Sequence, residues 1–173
     1  FDQGVILHEL GHAIGLGHGR AYNPSIPALT QGASVEYGNQ SDVMGNCTLS
    51  PYSLCRFSGL SQLSLGWLDH SDVASATETT EVDLANYSNA DAAAGPRVVR
   101  IPRSDGSQIW LEWRALNDIN AGVSVFVDGV QYKLTQLPGN SKIGLMPGTE
   151  VTDPNFPIKI KVLSISTSHA RLR

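Results

Sequence analysis

The sequence lacks the usual features of membrane-spanning and nucleic-acid-binding proteins. It has no run of about 20 apolar residues that would form a transmembrane helix, and it has no long basic stretch. Its 12 Lys and Arg residues are outnumbered by 16 Asp and Glu residues, which gives a net charge of -4. Nucleic acid and anionic membrane surfaces are therefore not expected as partners. The hydrophobic fraction of 41% predicts a packed globular chain of one domain or two small ones.

Cysteine is also scarce, since the chain has only Cys47 and Cys55. In a secreted protein these two would pair and close a short loop, which adds about 2.5 kcal/mol of stability by the chain-entropy argument. In a reducing compartment they would instead form a buried, reduced pair. The sequence leaves both alternatives open.

The chemistry-bearing residues are concentrated in the first eighteen positions, as His-Glu-x-x-His followed by x-x-Gly-x-x-His. His8 and His12 are four residues apart, so on a helix they lie on one face and can share a metal ion. Gly15 can end the helix with a positive φ, which allows the chain to bring His18 back as a third ligand. Glu9 lies beside them as a base for a metal-bound water. Three histidines and one open position are typical of a catalytic zinc site rather than a structural one.

The same helix has an apolar side that needs a partner. An apolar helix face normally packs against a sheet, yet no strand pattern precedes this helix, and the chain begins with Phe1. We therefore expect that the chain is the C-terminal part of a longer protein and that any signal peptide lies upstream. A buried helix with incidental histidines is the alternative interpretation. The apolar residues opposite His8 and His12 are Ile6, Leu7, Leu10, Ala13 and Ile14.

Residues 19–50 show no clear periodicity and are rich in Pro, Gly, Ser and Asn, which predicts a long loop along one wall of the cleft. Within it, Met44 before a glycine suits a tight turn that places a thioether beneath the metal site. Asp42 either caps this turn or supports a ligand histidine. Residues 57–68 then have the apolar spacing of a short helix capped by Ser58 or Ser61.

From about residue 78 onwards the apolar pattern changes to the alternation of β-strands. Val98–Ile101 and Ile109–Arg114 are two such runs, and Ile109, Leu111 and Trp113 fall on one side of the second. Asp128-Gly129 between two alternating runs predicts a β-hairpin. Short strands at this spacing favour a β-sandwich.

The segment from Glu36 to Gly45, Glu-Tyr-Gly-Asn-Gln-Ser-Asp-Val-Met-Gly, narrows the interpretation. Together with the extended histidine motif it resembles the gametolysin-like metallopeptidases of the metzincin group. The resemblance covers roughly residues 3–68. It implies that His8, His12 and His18 bind zinc, that Glu9 is the catalytic base and that Met44 is the residue of the Met turn.

Two positions depart from the family pattern. Asn39 stands where Asp is common, and Asn46 occupies the place at which some metzincins carry a zinc-binding Tyr. A tyrosine ligand or oxyanion donor is therefore not expected at position 46.

These patterns together predict an α+β fold with two parts. Residues 1–70 would form the C-terminal half of a metzincin catalytic domain, residues 71–80 a linker, and residues 81–173 an all-β, sandwich-like accessory domain. The expected activity is that of a secreted or extracellular zinc endopeptidase, which uses one Zn²⁺ ion and Glu9 on a protein or peptide substrate bound in extended form. The alternative is a β-domain that binds a matrix protein or a glycan, attached to an incomplete or inactive metallopeptidase.

Overall fold

The computed structural model describes residues 3–22, 29–47, 56–86, 95–114, 121–132, 134 and 143–173. Within these residues the fold is α+β and mostly β, with two sheets and few helices. Neither of the two described α-helices is long and apolar enough to cross a membrane. The elements are α1 (Gln3–Ala13), β1 (Ala21–Tyr22), β2 (Ser34–Val35), α2 (Gly59–Ser64), a 3-10 helix (His70–Asp72), β3 (Val73–Ser75), β4 (Val82–Ala85), β5 (Val98–Pro102), β6 (Gln108–Trp113), β7 (Val123–Val127), β8 (Val130–Tyr132), β9 (Glu150–Thr152), β10 (Lys159–Ile165) and β11 (His169–Leu172).

The two sheets pack around a common apolar core. One sheet has the strand order β2-β1-β8-β7-β6-β5-β3, and the other has the order β4-β11-β10-β9. Ile109 and Leu111 of the first sheet share one cluster of buried residues with Ile160 and Leu172 of the second. Burial of apolar side chains between two sheets is the arrangement of a β-sandwich.

The predicted hairpin is confirmed. Val127 of β7 pairs with Val130 of β8, and Asp128 and Gly129 form the connection with φ angles of 49° and 83°. Two consecutive residues with positive φ are characteristic of the type I′ turn, which Asp-Gly favours because both residues tolerate this conformation.

The first sheet includes strands that the sequence did not predict. β1 and β2 lie within the expected loop of residues 19–50, and β1 pairs in parallel with β8 at Ala21 and Gln131. The linker expected at residues 71–80 is partly wrong. Its first half completes a 3-10 helix capped by Asp69 and then forms β3, which pairs in parallel with β5. Strands of two or three residues are too short to show a hydrophobic period.

Both faces of β6 are buried. Trp113 lies on the core side, whereas Glu112 and Arg114 point the other way and are only 2% and 5% exposed. The Gly59 amide at the start of α2 donates to Glu112 Oε2 over 2.6 Å, and Arg114 Nη2 donates to the carbonyl oxygen of Ser41 over 2.7 Å. The sheet therefore holds the segment around Met44 through charge-assisted hydrogen bonds.

The expected packing of α1 against a covering layer is not found within the described residues. Among the described residues, only Gly11 of this helix is buried. The apolar side chains of α1 face solvent. Their exposed fractions are 51% for Ile6, 38% for Leu7, 50% for Leu10 and 40% for Ile14.

Candidate metal centre

The three motif histidines meet at one place. His8 and His12 lie on the same face of α1 and their ring centroids are 4.8 Å apart. The helix ends as expected, because Gly15 has a φ of 99° and its amide donates to the His12 carbonyl. The chain then returns His18 to the other two rings, with centroids 4.7 Å from His12 and 5.5 Å from His8. One ligand nitrogen from each lies within 4.8 Å of the others, a group that can hold a metal ion.

Each imidazole is oriented by a hydrogen bond on the side away from this meeting point. The Nδ1 partners are the Val43 carbonyl for His8 (2.8 Å), the Leu16 carbonyl for His12 (2.9 Å) and the Glu36 carboxylate for His18 (2.7 Å). Carbonyl and carboxylate oxygens only accept hydrogen bonds, so each Nδ1 must carry a proton. In a neutral ring, Nε2 is then left with a lone pair available for a metal.

Glu36 contacts the histidine cluster, although the sequence analysis assigned it no role. Its Oε1 accepts a hydrogen bond from His18 Nδ1, while about half of the glutamate side chain remains exposed. A carboxylate behind a ligating histidine fixes the ring and makes its other nitrogen a better electron donor. The only signal in the sequence is the position of Glu36 at the start of the segment that carries the resemblance.

Met44 packs against α1 at Gly11. Its side chain is 1% exposed, and a Cβ atom added to Gly11 would overlap its sulfur. The turn is closed by a 3.0 Å hydrogen bond from the Gly45 amide to the Asp42 carbonyl. The Met44 carbonyl accepts from the Gly19 amide, one residue after His18, over 2.7 Å. The turn therefore supports both the helix and the returning chain.

Asp42 has the turn-capping role rather than contact with a ligand histidine. Its Oδ1 accepts from the Met44 amide over 2.8 Å, and its Oδ2 accepts from the Ser58 amide over 3.1 Å. Complete burial raises the pKa of this carboxyl above its usual value, and the hydrogen bonds and the nearby Arg114 charge only partly oppose that rise. Ser58 is also the N-cap of α2, as predicted, so one carboxylate joins the Met turn to that helix.

Tyr37 is the second residue that the sequence analysis did not single out. Its ring centroid lies 3.9 Å from that of His18 and 5.8 Å from that of His8. A recess of about 420 Å³ opens beside it. The residues that line the recess are Val35, Glu36, Tyr37, Gly38, Gln40, Gly45 and Asn46.

The remaining predicted residues have simpler environments. Glu9 is exposed on α1, next to His8 in sequence. Asn39 is buried, and its Oδ1 accepts from the amide and hydroxyl of Ser41, so it organises the loop before the Met turn. Cys47 is disulfide-bonded, whereas Cys55, the other cysteine of the chain, lies outside the described residues.

Comparisons of this chain with protein-family models, with curated proteins and with solved structures yield no match.

Proposed function

We propose that this protein is a zinc-dependent endopeptidase of the metzincin kind. The observation that supports this most strongly is the common orientation of the three histidines. His8, His12 and His18 each direct Nδ1 to an oxygen acceptor, which leaves three Nε2 lone pairs for one ion. Histidines with unrelated structural roles would not be expected to share one tautomer and to direct their Nε2 atoms to one place.

The donor set fits zinc. Tetrahedral zinc binds imidazole nitrogen at about 2.0–2.1 Å, which places two ligand nitrogens about 3.3 Å apart. The Nε2 atoms of His12 and His18 are 3.0 Å apart, close to that value. Two lone pairs at this distance repel each other unless a cation or a proton lies between them. Three neutral nitrogen ligands also leave the fourth position for a water or a substrate.

Glu9 is the proton carrier in this proposal. When bound, zinc would act as a Lewis acid that lowers the pKa of a water molecule towards neutrality and polarises a carbonyl group. The Glu9 carboxylate accepts the proton of the attacking water and then delivers it to the nitrogen of the departing amine. The exposure of Glu9 beside His8 supports this role, since substrate can reach it.

We propose that the peptide substrate is bound in extended form along β2. Among the described residues this strand lies at the edge of the seven-stranded sheet, and an extended peptide can pair with an edge strand. β2 leads directly into Glu36 and Tyr37, the residues in contact with His18. The recess beside Tyr37 would then receive a substrate side chain next to the cleaved bond.

An extracellular location is part of the same proposal. The disulfide at Cys47 supports it, because disulfide bonds persist in oxidising compartments and are rare in the cytosol.

The experiment compares the wild-type chain with Glu9→Gln. Zinc content is measured by atomic absorption after dialysis, and hydrolysis is followed with a casein substrate and with a quenched peptide library. We expect one zinc ion per chain in both proteins, and hydrolysis only by the wild type. Absence of zinc in the wild type, or full hydrolysis by Glu9→Gln, would contradict the proposal.

A second candidate function is ligand binding by the β-region, for which one observation is favourable. A cleft of about 760 Å³ opens between the two sheets, with an apolar floor that includes Val99 and Ile160 and charged residues that include Lys161 and Glu78. Such a cleft suits a protein segment or a glycan. Binding of the full-length Glu9→Gln chain to glycan and peptide arrays tests it, with Lys161→Glu expected to weaken any signal. No binding by the folded chain would reject this candidate.

A further inference from the structure

We propose that Tyr37 is a positioning residue for the metal ligands, holding the rings of His18 and His8 in their metal-binding orientation. This role rests on the proposed metal-binding function. The Tyr37 ring meets His18 at an interplanar angle of 40° and His8 at 28°, so it lies roughly alongside both. His12 meets the same two rings nearly edge-on, at 71° and 86°. His8 and His18 are therefore held between two different aromatic neighbours.

The backbone of Tyr37 shows that this position costs conformational energy. Its φ is 58°, in the left-handed region that bulky side chains rarely adopt. The conformation is fixed from both sides, because the Gly38 amide donates to the Val35 carbonyl and the Asn46 amide donates to the Tyr37 carbonyl. Unfavourable backbone geometry that the surroundings enforce is concentrated at functional sites.

The fold itself gains little from the tyrosine ring. Tyr37 is 42% exposed and belongs to neither of the apolar clusters found among the described residues. A glycine would adopt the same backbone conformation without cost. The contacts of the Tyr37 ring with His8 and His18 thus explain why this position has a tyrosine rather than a glycine.

Tyr37 and its neighbour Glu36 restrain His18 in complementary ways. Glu36 fixes the Nδ1 edge of the imidazole by a hydrogen bond, and Tyr37 packs along the ring itself. A ligand that is already oriented loses less freedom when the ion binds, so the ion binds more tightly. Tyr37 therefore raises metal affinity without being a ligand.

The test compares the wild-type chain of 173 residues with Tyr37→Gly and Tyr37→Phe. Zinc dissociation constants are measured by competition with a chromophoric chelator, and the cobalt-substituted proteins are compared by visible absorption. We expect Tyr37→Gly to bind zinc about ten-fold more weakly and to show an altered cobalt spectrum, as for other residues that orient a ligand. Tyr37→Phe keeps the ring and should match the wild type in both measurements.

A thermal unfolding experiment on the metal-free proteins separates this role from a structural one. We expect the midpoint of Tyr37→Gly to be unchanged or higher, because the left-handed backbone is relieved. A lower midpoint, wild-type zinc affinity in Tyr37→Gly, or weakened affinity in Tyr37→Phe would each overturn the role of the ring. If the wild type binds no zinc, the proposed function fails as well, which distinguishes that outcome from a failure of Tyr37 alone.

Discussion

Gly11 lies so close to the sulfur of Met44 that a methyl group at position 11 has no room. The contact joins the helix that carries His8 and His12 to the turn that supports it. The Phe57 ring lies on the other side, 3.0 Å from where a Cβ would be. Replacement of Gly11 by alanine must therefore displace the buried Met44 and Phe57 side chains or shift the helix away from them.

We expect Gly11→Ala to reduce the free energy of unfolding by about 1–3 kcal/mol, the usual cost of overpacking a tight contact. Gly17→Ala is the matched control, since nothing lies within 4 Å of a Cβ at position 17. Denaturant titration of both variants measures the effect. Equal stability of Gly11→Ala and Gly17→Ala would show that the Met44 contact is not tight in solution.

Replacement of Glu36 is expected to change metal affinity, which is measured without an activity assay. Glu36→Gln keeps an oxygen that can accept from His18 Nδ1 but removes the negative charge behind the ring. We expect zinc to bind about ten-fold more weakly, within the range found for carboxylates that support a ligand histidine. Glu78→Gln, an exposed change in the segment between β3 and β4, is the control. Chelator competition measures both, and identical affinities would argue against a role for Glu36.

Asp42 should make stability depend on pH. Its pKa is raised because burial disfavours the charged form. As the pH rises from the ordinary value of 3.8 through the raised pKa, the unfolded chain loses its proton first, so the folded state binds more protons. The contribution of Asp42 to the free energy of unfolding therefore decreases across this window and is constant above it.

Asp42→Asn removes that decrease because a side-chain amide does not ionise in this pH range. The variant also loses one of the two acceptors that satisfy the amides of Met44 and Ser58, which costs about 1–3 kcal/mol for a buried group. Urea titrations at a series of pH values above 3.8 compare the wild type, Asp42→Asn and the exposed control Asp83→Asn. The prediction is wrong if Asp42→Asn retains the same pH-dependent decrease as the control.

The features that sequence predicted correctly are those determined by neighbouring residues. The end of α1 follows from Gly15, the start of α2 from Ser58, and the β7–β8 hairpin from Asp128-Gly129. Each depends on the conformational preference of one or two residues. The approach of His18 to the other two histidines was also predictable, since His18 follows His12 by only six positions.

The features that sequence did not predict depend on partners far apart in the chain. The alternating pattern of β6 predicts that Glu112 faces solvent. Glu112 is instead buried, and it accepts a hydrogen bond from the Gly59 amide. The pairing of Ala21 with Gln131 has no local signal. Periodicity indicates which side of a helix is apolar, but it does not identify what covers that side, as Ile6 and Leu10 show.

The parallel pairing of β1 with β8 has a consequence for biosynthesis. The histidine segment precedes both neighbours of β1 in the chain, and β2 is the only neighbouring strand described for Ala21 until Gln131 has left the ribosome. The carbonyl and hydroxyl oxygens of Ser41 likewise accept from the side chains of Arg114 and Gln131, which are synthesised much later. The loop that follows His18 thus reaches its final shape late in translation, only after the strands of the β-region have been made.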